Sequence, residues 1–178
     1  MSFAFSRRSF LKYTAVAAVA VAGASLFTGC KVDTSDSYNA LRTTPGELTV
    51  LQVTAAMGTY VEASKSYTAP DVTGMTIAFP FKITNGRANP IYVNPNNFKA
   101  TVLNDKDEFI TKYTASNGLT LDAPLCDTNL KKGASVSGNV NLTLGAALEP
   151  GQSIVLTYCP DLQYNEYSLN WKTTCPEG

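Results

Sequence analysis

Four cysteines and one cluster of carboxylates are the residues of this 178-residue chain whose types and spacing suggest chemistry. The cysteines are Cys30, Cys126, Cys159 and Cys175. Such thiols can react covalently, form disulfides in an oxidising compartment, or pack as small apolar residues. The carboxylates Asp105, Asp107 and Glu108 lie within one short polar segment. Clustered oxygen atoms of this kind can bind a hard cation such as calcium.

The acidic segment lacks the glycine and the terminal glutamate that a twelve-residue calcium loop requires. We therefore predict that it is a solvated hairpin tip. The chain has no histidine, which excludes Ser-His-Asp and Cys-His catalysis because the general base is missing. Phosphate-binding glycine loops and C-x-x-C motifs do not occur either. We expect a protein that is not an enzyme and that has no metal or cofactor, although composition alone leaves a carboxylate-based hydrolase open.

The N-terminal segment has the pattern of an export signal, in which basic residues precede a short apolar run. Arg7 and Arg8 lie in the stretch SRRSFLK, which resembles the twin-arginine export motif. The uncharged run over residues 13–29 is 17 residues long, whereas a helix that crosses a bilayer needs about 20 apolar residues. We predict that residues 1–29 are a cleaved twin-arginine signal peptide.

The apolar run ends in LFTGC at residues 26–30, which resembles a bacterial lipobox. Phe27 stands where that family usually has leucine. The resemblance implies that Cys30 is lipidated, and two or three acyl chains there would hold the protein stably on the outer side of the cell membrane. The alternative is ordinary cleavage after Ala22-Gly23-Ala24, which would release a secreted protein.

The charge and composition of the mature chain restrict its partners. Removal of Arg7, Arg8 and Lys12 leaves 11 basic residues against 14 acidic ones. With no basic stripe, we expect no nucleic-acid binding and no electrostatic attraction to anionic lipid, so the membrane contact would come from Cys30. Residues 30–46 are polar and aperiodic, which predicts a flexible tether before a domain at 47–178.

The rest of the chain shows the alternation of apolar and polar residues that is typical of strands. The clearest case is MTIAFPFKIT at residues 75–84, where Pro80 on the outward-facing set indicates an edge strand or a bulge. Further predicted strands are ELTVLQVTAA, FKATVLN, EFITKYT, VSGNVNLTL, SIVLTYC and YSLNW. About seven strands joined by turns rich in Asn, Gly and Pro predict an all-β, immunoglobulin-like antiparallel sandwich. A closed barrel is the alternative.

This order of elements resembles small bacterial lipoproteins whose exported part is an immunoglobulin-like domain of unknown function, similar to the mycobacterial secreted immunoprotective-antigen fold. The resemblance rests on Thr84-Asn85, the turn with Pro90, the loop at 104–107, and the glycine-bearing stretch from Leu130 to Gly138. It implies the sandwich fold and no known activity, because function depends on a site and not on a fold.

The predicted strand directions bear on the remaining cysteines. If the last three strands run up, down and up, Cys159 and Cys175 lie a strand length of about 17–20 Å apart. That exceeds the Cα separation of about 6 Å that a disulfide needs. We therefore predict a disulfide between Cys126 and Cys159, with Cys175 free. Burial of all three as free thiols is the alternative.

Several aromatic residues lie close together near the C-terminus. They are Tyr158, Tyr164, Tyr167 and Trp171. Cross-strand packing is the favoured interpretation of this spacing, over a binding surface for peptides or sugars. Together these features predict a cell-envelope lipoprotein whose non-enzymatic domain binds a protein partner or has a structural role. The alternative is a small-ligand or ion carrier, which would need a pocket with convergent polar groups.

Overall fold

The computed structural model describes residues 40–162 and 167–177. The predicted signal peptide with Arg7 and Arg8, the predicted lipid acceptor Cys30, and Tyr164 lie outside the described residues. The predictions on these positions are therefore not tested by the structure.

Fourteen strands and a single 3-10 turn, Pro95–Asn97, make up the regular structure of the described residues. Strands β1 to β5 are Ala40–Arg42, Gly46–Val50, Val53–Met57, Thr59–Val61 and Ser66–Thr68. Strands β6 to β10 are Thr76–Asn85, Ile91–Val93, Phe98–Leu103, Phe109–Tyr113 and Leu119–Leu121. Strands β11 to β14 are Thr128–Leu130, Ser135–Thr143, Ser153–Tyr158 and Leu169–Thr174. The predicted all-β class is confirmed.

Two five-stranded sheets form the sandwich. The first sheet has the order β1-β14-β13-β8-β9, and the second has the order β10-β12-β6-β3-β2. Two ribbons, β11-β7 and β4-β5, are added to them. If β3, β6, β8, β10, β12, β13 and β14 are labelled A to G, the second sheet reads D-E-B-A and the first contains G-F-C, which is the strand order of the immunoglobulin fold. One departure from a purely antiparallel sandwich is β1, which pairs in parallel with β14.

The core lies between the two sheets and centres on aromatic rings. Phe81 of β6 has its ring centroid 5.3 Å from that of Phe98, 5.9 Å from that of Tyr158 and 5.1 Å from that of Trp171. All four side chains are at most 3% exposed. Antibody domains join strands B and F by a disulfide. Here the contact between Phe81 and Tyr158 joins the same two strands.

Pro80 does not mark an edge strand or a bulge, because β6 lies between β12 and β3. The carbonyl oxygen of Pro80 accepts a hydrogen bond of 2.8 Å from the backbone N–H of Gly58, just beyond the end of β3. The N–H and C=O of one strand residue point to the same side. The missing N–H of Pro80 would therefore point to the same side as its carbonyl oxygen, towards Gly58 beyond the end of β3. The hydrogen bonds between β6 and β12, on the other side, are not affected.

The segment ELTVLQVTAA forms two strands and not one. Leu51 and Gln52 have φ values of 48° and 60° and connect β2 to β3. Two consecutive residues in the left-handed region are typical of a two-residue hairpin turn, where Asn-Gly is the usual sequence. Leu-Gln does not carry that signal, so the sequence alone indicates a continuous strand.

The predicted boundary at Glu47 is too late. Residues 40–42 form β1, which pairs with β14 from Leu169 to Trp171, and Gly46 already belongs to β2. The domain therefore begins inside the predicted tether. Three residues cannot show an alternation, which is why this strand reads as polar linker.

Candidate functional site

The predicted disulfide between Cys126 and Cys159 is absent, and Cys126, Cys159 and Cys175 are free thiols. The prediction is wrong because the residues between Cys126 and β12 form β11, which pairs with β7 and draws Cys126 towards that ribbon. The Sγ of Cys126 donates to Asp127 Oδ2 at 3.4 Å. The expected separation of Cys159 from Cys175 is confirmed, since β13 and β14 pair in antiparallel with Tyr158 opposite Leu169.

The thiols are not arranged as nucleophiles. Burial raises the pKa of the Cys159 thiol, against the opposing effect of the nearby cations Lys99 and Lys112. Burial, together with a hydrogen bond to Asp127, raises the pKa of Cys126. A reactive cysteine needs a lowered pKa, because the thiolate is the nucleophile. These thiols are therefore weak nucleophiles at neutral pH.

The acidic cluster is a hairpin tip between β8 and β9, as predicted. Asn104 Oδ1 accepts backbone N–H bonds from Lys106 at 3.0 Å and Glu108 at 2.8 Å, which closes the turn. The side-chain Nδ2 of Asn104 donates a hydrogen bond to Glu108 Oε2, whereas Asp107 forms a salt bridge with Lys172. Asp107 and Glu108 have separate partners, and no group of three metal-ligating side chains occurs within the residues that the structure describes.

Three of the four C-terminal aromatic residues, those that the structure describes, pack in the core and do not form a surface. Tyr158 is 1% exposed and Trp171 is fully buried. Tyr167 is partly buried and packs against the same core. The packing interpretation is confirmed for these three residues.

The motif residues behind the family resemblance meet in the fold and act as scaffold. Asn85 is fully buried, and its Nδ2 donates to Asn89 O at 3.0 Å and to Leu130 O at 2.9 Å. The main-chain carbonyl oxygen of Asn85 accepts a hydrogen bond of 2.6 Å from the backbone N–H of Gly133. The two motifs therefore hold each other in place and leave the functional surface to other residues.

The outer face of the second sheet carries an open groove with a volume of about 610 Å³. Its floor follows one cross-strand row, in which Glu47 pairs with Ala56, Ala56 with Lys82, and Lys82 with Ser137. In the next row Pro80 pairs with Asn139. Because side chains alternate across a strand, these small or polar residues all face outward from β2, β3, β6 and β12.

The hairpin β4-β5 forms the aromatic wall of the groove. Tyr60 and Tyr67 are paired across this hairpin, with ring centroids 5.2 Å apart. The hydroxyl of Tyr67 donates to Glu47 Oε1 at 2.8 Å. Burial and this hydrogen bond raise the pKa of Tyr67 to about 12, so the hydroxyl stays protonated at neutral pH. Tyr67 is thereby held in place, while the ring of Tyr60 is 48% exposed.

Asn139 on the opposite wall is held by the carboxylate of Asp122. Asn139 Nδ2 donates to Asp122 Oδ2 at 2.8 Å, and Asn141 Nδ2 donates to Asp122 Oδ1 at 2.6 Å. Because the side-chain nitrogen of Asn139 donates to Asp122, its side-chain oxygen Oδ1 remains an acceptor for a ligand. The groove therefore offers an exposed ring on one side and fixed polar groups on the other.

Gly58 sets the position of the aromatic wall, and its replacement tests this role. Its φ is +105°, and a Cβ there would lie 2.5 Å from the carbonyl oxygen of Thr68 and 2.8 Å from Pro45 Cβ. We expect Gly58→Ala to lower the free energy of unfolding by about 2 kcal/mol, since it adds both backbone strain and a clash with backbone. Urea unfolding measures the change. Gly145→Ala is the matched control, because the nearest atom to its Cβ would be 3.8 Å away; equal effects of the two would contradict the assignment.

A second, smaller concavity of about 360 Å³ lies at the end of the sandwich where the B–C and F–G loops meet. Lys99, Lys112 and Leu162 line it, with the thiol of Cys159 beside them. Asn97 connects the two loops through two hydrogen bonds of 2.8 Å. Its side-chain Nδ2 donates to the main-chain oxygen of Cys159, and its main-chain oxygen accepts from the backbone N–H of Cys159. The immunoglobulin arrangement places the antigen-binding loops at this end.

Among the described residues, no helix has the length and apolar character needed to span a bilayer. No protein-family model matches the sequence, and no curated protein matches it.

Three solved structures align with this chain at low sequence identity. Protein ycdA of Bacillus subtilis subsp. subtilis strain 168, a presumed lipoprotein by its name, has a TM-score of 0.44 and 13% identity over 74% of this chain. This chain spans only 39% of that one. Protein yjhA of Bacillus subtilis has a TM-score of 0.42 and 8% identity, covering 76% of this chain and 98% of its own. The archaeal flagellum of Methanospirillum hungatei strain JF1 has a TM-score of 0.39 and 15% identity, over 96% and 89% of the two chains. At these TM-scores the likenesses carry no argument.

The sequence alone did not indicate the residues that line the groove. Tyr60 and Tyr67 lie in strands of three residues each, too short for a periodic pattern. A weak signal is the repeat T-Y-V and S-Y-T around the polar turn EASK, which is typical of a hairpin with cross-strand tyrosines. Nothing local in the sequence brings Glu47, Lys82 and Ser137 into one row.

Proposed function

We propose that this chain is an exported cell-envelope lipoprotein, anchored through Cys30 on the outer side of the membrane, whose domain acts by binding and not by catalysis. The observation that carries the proposal is the groove on the second sheet, where a half-exposed tyrosine faces fixed polar groups. An aromatic surface with a few oriented polar groups is typical of a binding site.

The composition supports a binding role in two ways. The whole chain lacks histidine, so the most common general base is missing. The two carboxylates near the groove are used for positioning, since Glu47 holds Tyr67 and Asp122 holds Asn139. The export motif with Arg7 and Arg8 and the lipobox at Cys30 support the location. A small-ligand carrier would favour an enclosed pocket, whereas both concavities described above are open.

Membrane fractionation of a Cys30→Ala variant tests the anchor. We expect the membrane-bound fraction of the full-length protein to fall by roughly tenfold or more, because acyl chains supply the stable attachment. Incorporation of labelled palmitate into the protein should be lost in parallel. The bacterial host must have both twin-arginine export and lipoprotein maturation.

Cys126→Ala is the matched control, since it removes a thiol from the folded domain and leaves the lipobox intact. It should keep both the label and the membrane location. Retention of the Cys30→Ala protein in the membrane fraction would contradict the anchor. A wild-type protein that is found soluble with Ser25 at its N-terminus would show that cleavage follows Ala24 instead.

A further inference from the structure

The groove on the second sheet has the chemistry of a sugar-binding surface. The ring of Tyr60 is 48% exposed and is supported by Tyr67, which is itself fixed through Glu47. The C–H bonds on one face of a pyranose ring are slightly positive, and an aromatic face is negative. An exposed ring that is held in one orientation can therefore stack against a sugar with little loss of side-chain entropy.

The polar groups around Tyr60 match the hydroxyl groups of a sugar. Ser137 and Asn139 project from the same strand two residues apart, at a spacing of about 7 Å. Ser137 supplies a hydroxyl, Asn139 an amide oxygen and Lys82 an ammonium group, and all three line the groove. Hydroxyl-rich ligands need several donors and acceptors at fixed positions, and each can make a hydrogen bond here.

The charge of the groove disfavours nucleic acid as its ligand. Lys82 and Glu47 both line the groove, so the surface lacks the basic character that nucleic acid requires. Strand β6, at the centre of the floor, is paired with β12 on one side and β3 on the other, so a peptide strand cannot be added there. The groove is open, which suits a segment of a chain and not one enclosed small molecule.

We propose that this groove binds a linear chain of β-1,4-linked pyranose sugars, with one ring stacked on Tyr60 and its hydroxyls bonded to Ser137 and Asn139. The inference rests on the proposed binding function and names the ligand class for that site. An equatorially linked chain is flat, so it presents its C–H faces to the aromatic wall while its hydroxyls reach the floor.

Isothermal titration of the purified full-length protein with cellohexaose and with chitohexaose tests the inference. We expect saturable binding of at least one of the two hexasaccharides. Tyr60→Ala should weaken that binding by roughly tenfold, as expected for loss of one stacking contact. Tyr60→Phe should stay within about twofold of wild type, because it keeps the ring.

Tyr92→Ala is the matched control, because Tyr92 is 53% exposed on β7 and does not line the groove. It should bind like wild type. Ser137→Trp is a second variant that fills the groove from an exposed position and should abolish binding without removing a core contact. The fluorescence of the single tryptophan, Trp171, reports whether the tyrosine variants are folded, and circular dichroism reports this for Ser137→Trp, which adds a second tryptophan.

Absence of binding to both hexasaccharides would overturn the inference, and so would equal binding by the Tyr60→Ala and Tyr92→Ala variants. If a peptide displaced the sugar and bound the groove with higher affinity than the sugar does, the groove would be assigned to a protein partner instead. The Cys30→Ala fractionation is independent of all these results. If the sugars fail to bind but fractionation behaves as expected, the envelope lipoprotein proposal stands and only the ligand class is wrong.

Discussion

Replacement of Trp171 by alanine is expected to lower the free energy of unfolding by about 4 kcal/mol, which is the usual cost of deleting a large buried aromatic side chain. Trp171 is fully buried, and its ring lies edge to face against Phe81 at 5.1 Å between centroids. Its Nε1 donates to the carbonyl oxygen of Gly46 at 2.9 Å. This one side chain therefore joins the first sheet to the second by packing and by a hydrogen bond.

Urea unfolding followed by circular dichroism measures the effect, because the Trp171 variants lose their tryptophan fluorescence. Trp171→Phe keeps part of the ring but leaves the buried oxygen of Gly46 without its donor, and should cost about 2 kcal/mol. Phe109→Ala is the control: Phe109 is 66% exposed, and its loss should change stability by less than about 0.5 kcal/mol. A Trp171→Ala effect no larger than that of the control would contradict the central role of this residue.

The Asn85→Ala variant is expected to lose about 2 kcal/mol of stability, because the buried carbonyl of Leu130 and two less buried backbone groups lose their partner. The amide Nδ2 of Asn85 serves the carbonyls of Asn89 and Leu130, and its Oδ1 accepts the N–H of Arg87 at 2.9 Å. Leu130 is buried, whereas Arg87 is partly buried and Asn89 is exposed, so most of the loss comes from the carbonyl of Leu130. The loss should be concentrated in the B–C loop and the Leu130–Gly133 turn.

Trp171 fluorescence during urea unfolding measures this change, and amide hydrogen exchange at Gly133 locates it. Asn96→Ala is the matched control, since Asn96 is exposed and its side chain has no hydrogen bond within the described residues. A uniform loss of protection in both variants would argue against a local role for Asn85. Sugar binding should persist in folded Asn85→Ala protein, because Asn85 does not line the groove.

The long alternating segments were predictable from the sequence, and the short ones were not. Strands β6 and β12 have ten and nine residues and show a clear period of two. Strands β1, β4, β5, β7, β10 and β11 have three residues each. A strand of that length is stabilised by its pairing partner and not by its own pattern. The sequence prediction of about seven strands therefore found most of the core and missed much of the periphery.

Two errors came from residues whose local preference was overridden by their neighbours. Pro80 favours an edge strand, but its missing N–H faces the end of β3, so a central position is tolerated. Leu51-Gln52 favours a continuous strand, but pairing of β2 with β3 forces a turn with both residues at positive φ. The disulfide prediction failed for a similar reason, because pairing of β11 with β7 places Cys126.

The sequence by itself determined the all-β class, the main strand segments, the exclusion of histidine-based chemistry and the proposal of export and anchoring through Arg7, Arg8 and Cys30. These depend on composition, on local periodicity and on short contiguous motifs. Only the tertiary structure decided that Cys126, Cys159 and Cys175 are free thiols and that Tyr60, Glu47, Lys82 and Asn139 share one groove. Register between strands far apart in sequence creates that surface, and register depends on the packing of the whole sandwich.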